Sequence, residues 1–206
     1  MVKKRLIISL TFNEGVLFRT KNFLPDYRYT KNFIDLWNAD EIILIDVSKK
    51  GKKLQKSFID VIRFFIENCY LPITVGGGIS SIEDAKKIFS LGVEKIIMNS
   101  STYKNPKITH DLVNIFGSSS IIQAIDMKKN DDGNYIIKVD NGKKTINRET
   151  NEYLEYVSSL NIGEILLNSI DNDGGLMGFD LNLINKFASE INVPILVQGG
   201  GGNWNH

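Results

Sequence analysis

Leu71-Pro-Ile-Thr-Val-Gly-Gly-Gly-Ile79 and Val193-Pro-Ile-Leu-Val-Gln-Gly-Gly-Gly201 are two copies of one unit, their prolines 122 residues apart. Each is a short apolar run opened by proline and closed by glycines. That is the composition of a buried strand ending in a turn open enough for backbone amides to approach an anion. The echo extends upstream, where Glu41-Ile-Ile-Leu-Ile-Asp46 matches Glu164-Ile-Leu-Leu-Asn-Ser169 at a spacing of 123 residues. Such a repeat predicts an α/β protein built from two similar halves, each with a phosphate-sized site. The second copy stops at His206, so the second half reads as incomplete.

Seven apolar runs have the continuous Ile, Val and Leu content of strands covered on both faces. They are Arg5 to Leu10, Glu41 to Asp46, Leu71 to Val75, Glu94 to Met98, Ile121 to Ile125, Glu164 to Asn168 and Pro194 to Val197. Between most of them lie helical spacings, such as Phe58, Val61, Ile62, Phe65 and Ile66, or Ala85, Ile88 and Phe89 after Ser80 and Ser81. Strand then helix, repeated, means βα units with right-handed crossovers. From Asp126 to Asn147 the rhythm breaks: Asp132-Gly133 and Asn141-Gly142 flank Tyr135-Ile-Ile-Lys-Val139, predicting an inserted β-hairpin at about 126–147. Residues 1–206 are therefore expected to form one domain, a (βα)8 TIM barrel of half-barrel repeats truncated after strand 7. Barrels of this kind typically need about 250 residues.

Charge narrows the partners. With 25 basic against 24 acidic residues and a net charge of +1, the chain has no general field to attract nucleic acid or an acidic membrane. The single cysteine, Cys69, excludes an internal disulfide and fits a reducing compartment as a buried structural thiol. The opening segment is basic, but only Leu6 to Leu10 follow as an apolar run, too short for a signal peptide. No stretch is long enough to span a bilayer, and a cytoplasmic location is expected.

Only His110 and His206 are available as histidines, the first within a helical pattern, so the chemistry falls to carboxylates, lysines and backbone amides. In a parallel barrel these act from the carboxyl ends of the strands, the address of Thr11, Asp46, Asn99, Ser100, Asp126, Asp171 and Asp173. Asp126 closes an apolar run and can serve as a general acid or base, or simply bond the amides of the next turn; position alone leaves both open. The loop Asp171-Asn-Asp-Gly-Gly175 lacks the ligand register of a calcium loop, and no metal site or cofactor is expected. One glycine triplet is a tight turn, but two at matched positions favour phosphate binding at both ends of a substrate. At the opposite ends of the strands, Arg5, Glu41, Lys95 and Glu164 head four apolar runs. Such a ring is either an ion-pair plug or a gate for a small polar molecule, and on physics alone the plug is favoured.

Together, Thr74-Val-Gly-Gly-Gly-Ile79, Ala124-Ile-Asp126 and Glu164-Ile-Leu-Leu-Asn-Ser-Ile-Asp-Asn-Asp-Gly174 give the chain a resemblance to the HisF family, the cyclase subunit of imidazole glycerol phosphate synthase, from Lys4 to Gly202. The resemblance implies a (βα)8 barrel, docked through its floor to a glutaminase of the HisH type, that receives ammonia along its axis. It also implies a lyase and cyclase reaction on a phosphorylated ribulosyl substrate, in histidine biosynthesis. By position, Gly78, Asn99 and Ser100 correspond to one phosphate site, and Gly174 and Gly200 to part of the other. Asp46 and Asp173 fall among the substrate-binding positions. Asp126 corresponds to one catalytic aspartate, and Arg5, Glu41, Lys95 and Glu164 to the ammonia gate, which reverses the preference for an inert plug.

The departures lie at the chemical end. Thr11 stands at the position of the other catalytic aspartate and cannot exchange protons near neutral pH as a carboxylate does. Arg19 stands where a lysine is expected, retaining charge but not lysine's shape or pKa range. Losing one general acid or base costs roughly a hundredfold to ten-thousandfold in rate. Three readings follow: a cyclase subunit working with Asp126 alone; a non-cyclising subunit that conducts ammonia to a separate sugar amidotransferase, as in the HisF-like paralogues of glycosyl amidation; or an inactive truncated product.

Overall fold

The computed structural model describes residues 4–25, 39–48, 54–203 and 205–206. The start of the basic opening segment, residues 1–3, lies outside them. In chain order come β1 (Ile7–Asn13), β2 (Val16–Leu17), β3 (Thr20–Lys21), β4 (Leu24–Pro25), β5 (Glu41–Asp46), α1 (Lys56–Asn68) and β6 (Ile73–Gly76). Next are α2 (Ile82–Phe89), β7 (Lys95–Met98), α3 (Ser100–Lys104), α4 (Pro106–Phe116), β8 (Ile121–Lys129), β9 (Tyr135–Val139) and β10 (Lys144–Thr145). Last come α5 (Thr150–Ser158), β11 (Glu164–Ser169), α6 (Leu181–Phe187) and β12 (Ile195–Gln198). Each of the seven apolar runs carries a strand, and the class is α/β.

Two compact units divide the chain: Met1–Arg19 with Tyr27–Ile97, and Thr20–Asp26 with Met98–His206. Each holds one copy of the repeated proline and glycine unit. In the first, β1, β5, β6 and β7 pair in parallel, with Ile7 opposite Glu41, Ile42 opposite Ile73 and Thr74 opposite Lys95. β2 turns back against the end of β1. In the second, β8, β11 and β12 pair in parallel, β9 lies antiparallel on β8, and β10 on β9. The short strands β3 and β4 form a ribbon of their own.

Burial follows composition. All of β6 and Ile121 to Met127 of β8 are buried, as a strand covered on both faces requires, whereas β9 alternates buried and half-buried residues in the period of a one-sided ribbon. Helix α2 starts where Ser81 Oγ accepts the Asp84 N–H at 3.0 Å, and it buries Ala85 and Ile88. Helix α1 buries Phe58, Ile59 and Ile62, while Val61, Phe65 and Ile66 are only half-buried. The expected hairpin is a meander instead: β8 runs on to Lys129 and supplies the first strand, with left-handed turns at Gly133 (φ 80°) and at Asn141 (φ 58°) and Gly142 (φ 75°). Cys69 is half-buried rather than buried, because it caps α1, where the chain leaves the core.

The matched glycines perform matched packing. Gly77 (φ 92°) lies so close to β5 that a Cβ there would sit 2.1 Å from the Asp46 carbonyl oxygen. Gly199 (φ 98°) stands in the same relation to β11, 2.5 Å from the Ser169 carbonyl oxygen. Asp46 and Ser169 are themselves equivalent positions of the repeat, so the sequence doubling is a doubling of a backbone contact. Gly77→Ala and Gly199→Ala are each expected to lower unfolding free energy by about 3 kcal/mol, from left-handed strain plus the clash. Urea denaturation midpoints of the two variants measure this, and midpoints unchanged from the parent would refute it.

Candidate active site

Parallel pairing sets the last residues of neighbouring strands side by side. In the second unit Asp126 of β8, Asn168 of β11 and Gln198 of β12 share one register row. Asn168 Nδ2 donates to Asp126 Oδ1 at 2.9 Å. Asn99, the residue capping α3, donates through Nδ2 to Asp126 Oδ2 at 2.7 Å. Asp126 is 7% exposed. Burial raises its carboxyl pKa to about 6; the amide hydrogen bonds from Asn168 and Asn99 work the other way, and the charge of Asp173 adds a further upward push.

A carboxyl titrating there can both take and give a proton near neutral pH, which is what general acid–base catalysis requires. It also bears on stability. The native state holds the proton more tightly than the unfolded chain, so ionisation works against folding as pH rises from about 4 to about 6. Above that window the penalty is on the order of 3 kcal/mol.

Helix α3 has only five residues, yet it is tied down on several sides. Ser100 Oγ accepts the Asp140 N–H at 2.9 Å and the Tyr103 hydroxyl accepts the Asn147 N–H at 3.1 Å, both from the β9–β10 region. On its inner side buried Thr102 donates to Gln123 Oε1 at 2.6 Å and shares a hydrogen bond with Thr109 at 2.8 Å. These bonds hold α3, and with it Asn99, against Asp126 of β8. Asp173 Oδ2 accepts Thr20 Oγ1 at 2.7 Å and the Phe23 N–H at 3.2 Å, so this carboxylate secures the β3–β4 ribbon. Gly174 allows the approach, since a Cβ there would lie 2.1 Å from the Thr20 carbonyl oxygen. Asp171 accepts the Lys129 N–H at 2.7 Å. Gly200 (φ 97°) packs on the Gly178 carbonyl.

In the first unit Thr11 is engaged locally: its hydroxyl donates to the Phe18 carbonyl while the Phe18 N–H donates to the Thr11 carbonyl at 2.7 Å, closing the β1–β2 turn. Asp46 Oδ1 accepts the Ser48 N–H at 2.9 Å and the Ser48 hydroxyl. Ser48 Oγ in turn accepts the Glu14 N–H at 2.7 Å. Arg19 is half-buried just after β2, and Gly78 is exposed with φ 70°. At the opposite ends of these strands Glu41, 3% exposed, lies 3.0 Å from Arg5 Nη1 and 3.5 Å from Lys95 Nζ, and accepts Thr74 Oγ1 at 2.6 Å. Arg5, Glu41 and Lys95 thus meet near the amino ends of the strands of the first unit; Glu164 heads β11 of the second.

Asn168, Gln198 and Thr74 were not singled out from sequence. A polar residue closing or interrupting an apolar run beside the strand of a candidate carboxylate is the signal that would have found them. His110 is exposed on α4. Among the described residues no group of three or more His, Cys, Asp or Glu is placed to hold a metal ion, and no helix is long and apolar enough to cross a membrane.

Comparison with known proteins converges on the family to which the motifs point. The family model described as histidine biosynthesis protein matches residues 11–206. The imidazole glycerol phosphate synthase subunit hisF2, so named provisionally, of Parasynechococcus marenigrum (strain WH8102) is 35% identical over 214 residues, covering 100% of this chain and 79% of its own length. The imidazole glycerol phosphate synthase subunit HisF of Alkaliphilus metalliredigens (strain QYMF) is 32% identical over 209 residues, covering 98% and 82%. That of Clostridium botulinum (strain Okra / Type B1) is 35% identical over 212 residues, covering 100% and 83%. With this match across its length, the chain belongs to the HisF family of histidine biosynthesis proteins.

Proposed function

We propose that this chain is the barrel subunit of a glutamine amidotransferase of the imidazole glycerol phosphate synthase type. It works with a HisH-type glutaminase that supplies ammonia. The observation that carries the reading is Asp126, a buried carboxyl titrating near 6 and oriented by Asn99 and Asn168. Asp126 takes a proton from the nitrogen as ammonia adds to a carbonyl of the phosphorylated ribulosyl substrate, and returns it in the later bond-breaking step. Ser100 and the glycine turns at Gly78, Gly174 and Gly200 bind the phosphates. Glu41, clamped by Arg5 and Lys95, is the point where ammonia entry is controlled, with Glu164 completing the set.

One observation favours a second reading, in which ammonia passes to a separate sugar amidotransferase without cyclisation. The Thr11 hydroxyl donates to its own β1–β2 turn, so it supplies no second proton-exchanging group.

Incubating the chain with the ribulosyl bisphosphate substrate and an ammonium salt decides between these. With free ammonia held constant, the cyclase reading expects turnover that rises with pH up to about 6 and levels off above it, because the base form of Asp126 is the active one. Asp126→Asn should abolish that turnover and yet raise thermal stability by up to about 3 kcal/mol above pH 6, with no gain below about pH 4. No turnover by the well-folded parent chain would leave the conducting role.

With the glutaminase added, Lys95→Ala should lower glutamine-dependent activity severalfold while ammonium-dependent activity holds. Parallel loss of both would remove the floor cluster from ammonia handling. Where the parent shows no turnover, the readout is glutaminase stimulation, which Lys95→Ala should weaken.

A further inference from the structure

Antiparallel pairing of β8 with β9 puts Lys138 directly opposite Asp126, and pairing of β9 with β10 puts Thr145 opposite Lys138. Residues opposite one another in such a pair project from the same face, with Cβ atoms about 4.5–5.5 Å apart. Lysine's flexible stem is long enough to cross that gap. On β9 this face is the half-buried one, carrying Ile136 and Lys138, while Tyr135, Ile137 and Val139 are buried on the other. The Lys138 ammonium is held there by a bond that exchanges easily: it donates at 2.9 Å to the hydroxyl of Thr145, an exposed residue. Lysines nearby are engaged with acids instead. Lys104 and Lys144 pair with Asp140, and Lys129 Nζ lies 3.9 Å from Asp180.

We infer that Lys138 is a further catalytic residue, a cation that the meander delivers to the reacting atoms beside Asp126. The assignment rests on the cyclase reading, in which ammonia adds to a carbonyl of the substrate. As the nitrogen–carbon bond forms, the π pair of the carbonyl moves to its oxygen, and the nitrogen yields a proton to Asp126. An ionised carboxylate has no proton with which to hold that oxygen. Asn99 and Asn168 turn their amide groups onto Asp126, and the Thr11 hydroxyl donates to the Phe18 carbonyl. Lys138, swung from Thr145, donates to the oxygen and balances its developing charge, the stabilisation that such a step requires. Lysine suits the task, because a compact charge with rotatable donors can follow the oxygen as its geometry changes.

Turnover of the ribulosyl bisphosphate substrate by the intact chain, at one pH and constant free ammonia, tests the assignment. Lys138→Met keeps the stem and removes the charge. It should lower kcat about a hundredfold, the cost of losing one donor to a developing oxyanion, while KM stays within about twofold of the parent. Lys138→Arg, which keeps the charge in another shape, should recover part of the loss. Thr145→Val removes the resting partner but not the ammonium, and should not share the loss. Urea midpoints check that each variant is folded, and Lys138→Gln replaces Lys138→Met should the latter fall below the parent. Equal losses in the neutral Lys138 variant and Thr145→Val would mean that Lys138 only pins β9 to β10, and would overturn the role. A loss confined to KM would overturn it too, since the bond-forming step would then proceed without the cation. No turnover by the well-folded parent refutes the cyclase reading and this assignment with it. Parental turnover that survives the neutral substitution sinks the assignment alone.

Discussion

Parallel pairing is the constraint on which the rest depends. When strands run the same way, each one must be followed by a return segment, and within a unit all their carboxyl ends emerge at one edge and all their amino ends at the other. In the second unit that rule brings Asp126, Asn168 and Gln198 into one row although 72 residues of chain separate the first from the last. In the first unit it sets Glu41 and Lys95 at the amino ends of β5 and β7, and Thr11 and Asp46 at the carboxyl ends of β1 and β5. The glycines at 77 and 199 finish the job, letting each turn lie against the strand before it with no side chain between.

Two of the buried carboxylates, Glu41 and Asp126, are kept by opposite means. Glu41 is flanked by two cations and a threonine hydroxyl, so its charge is neutralised where it sits. Among the described residues the hydrogen-bond partners of Asp126 are two amides, which orient it without neutralising it, and burial raises its pKa. A neutralised carboxylate is an electrostatic fixture; one held up by neutral donors is poised to exchange a proton. The stability forfeited by ionising Asp126 is a cost of the kind that clusters at reactive sites.

Much of this was legible from residue types. Continuous apolar runs located the seven parallel strands because both faces of such strands are covered, and the Asp-Gly and Asn-Gly pairs located the turns of the meander because those residues tolerate positive φ. The reach of β8 to Lys129 was not legible: Lys128 and Lys129 are exposed and polar, and only pairing with β9 makes them strand. The pairing of Asn99 and Asn168 with Asp126 was equally hidden, since amides closing strands look alike until register decides which carboxylate they meet.

The sequence by itself determined the class, the doubling and the chemical inventory. Those properties reside in composition and periodicity, which survive without knowledge of which residues touch. Tertiary structure alone decided what each group is for. It committed the Thr11 hydroxyl to the Phe18 carbonyl and the Asp173 carboxylate to the β3–β4 ribbon, and turned the amides of Asn99 and Asn168 onto Asp126. The reason is physical: a hydrogen bond is a matter of a few tenths of an ångström and a direction, and only strand register and backbone approach set those.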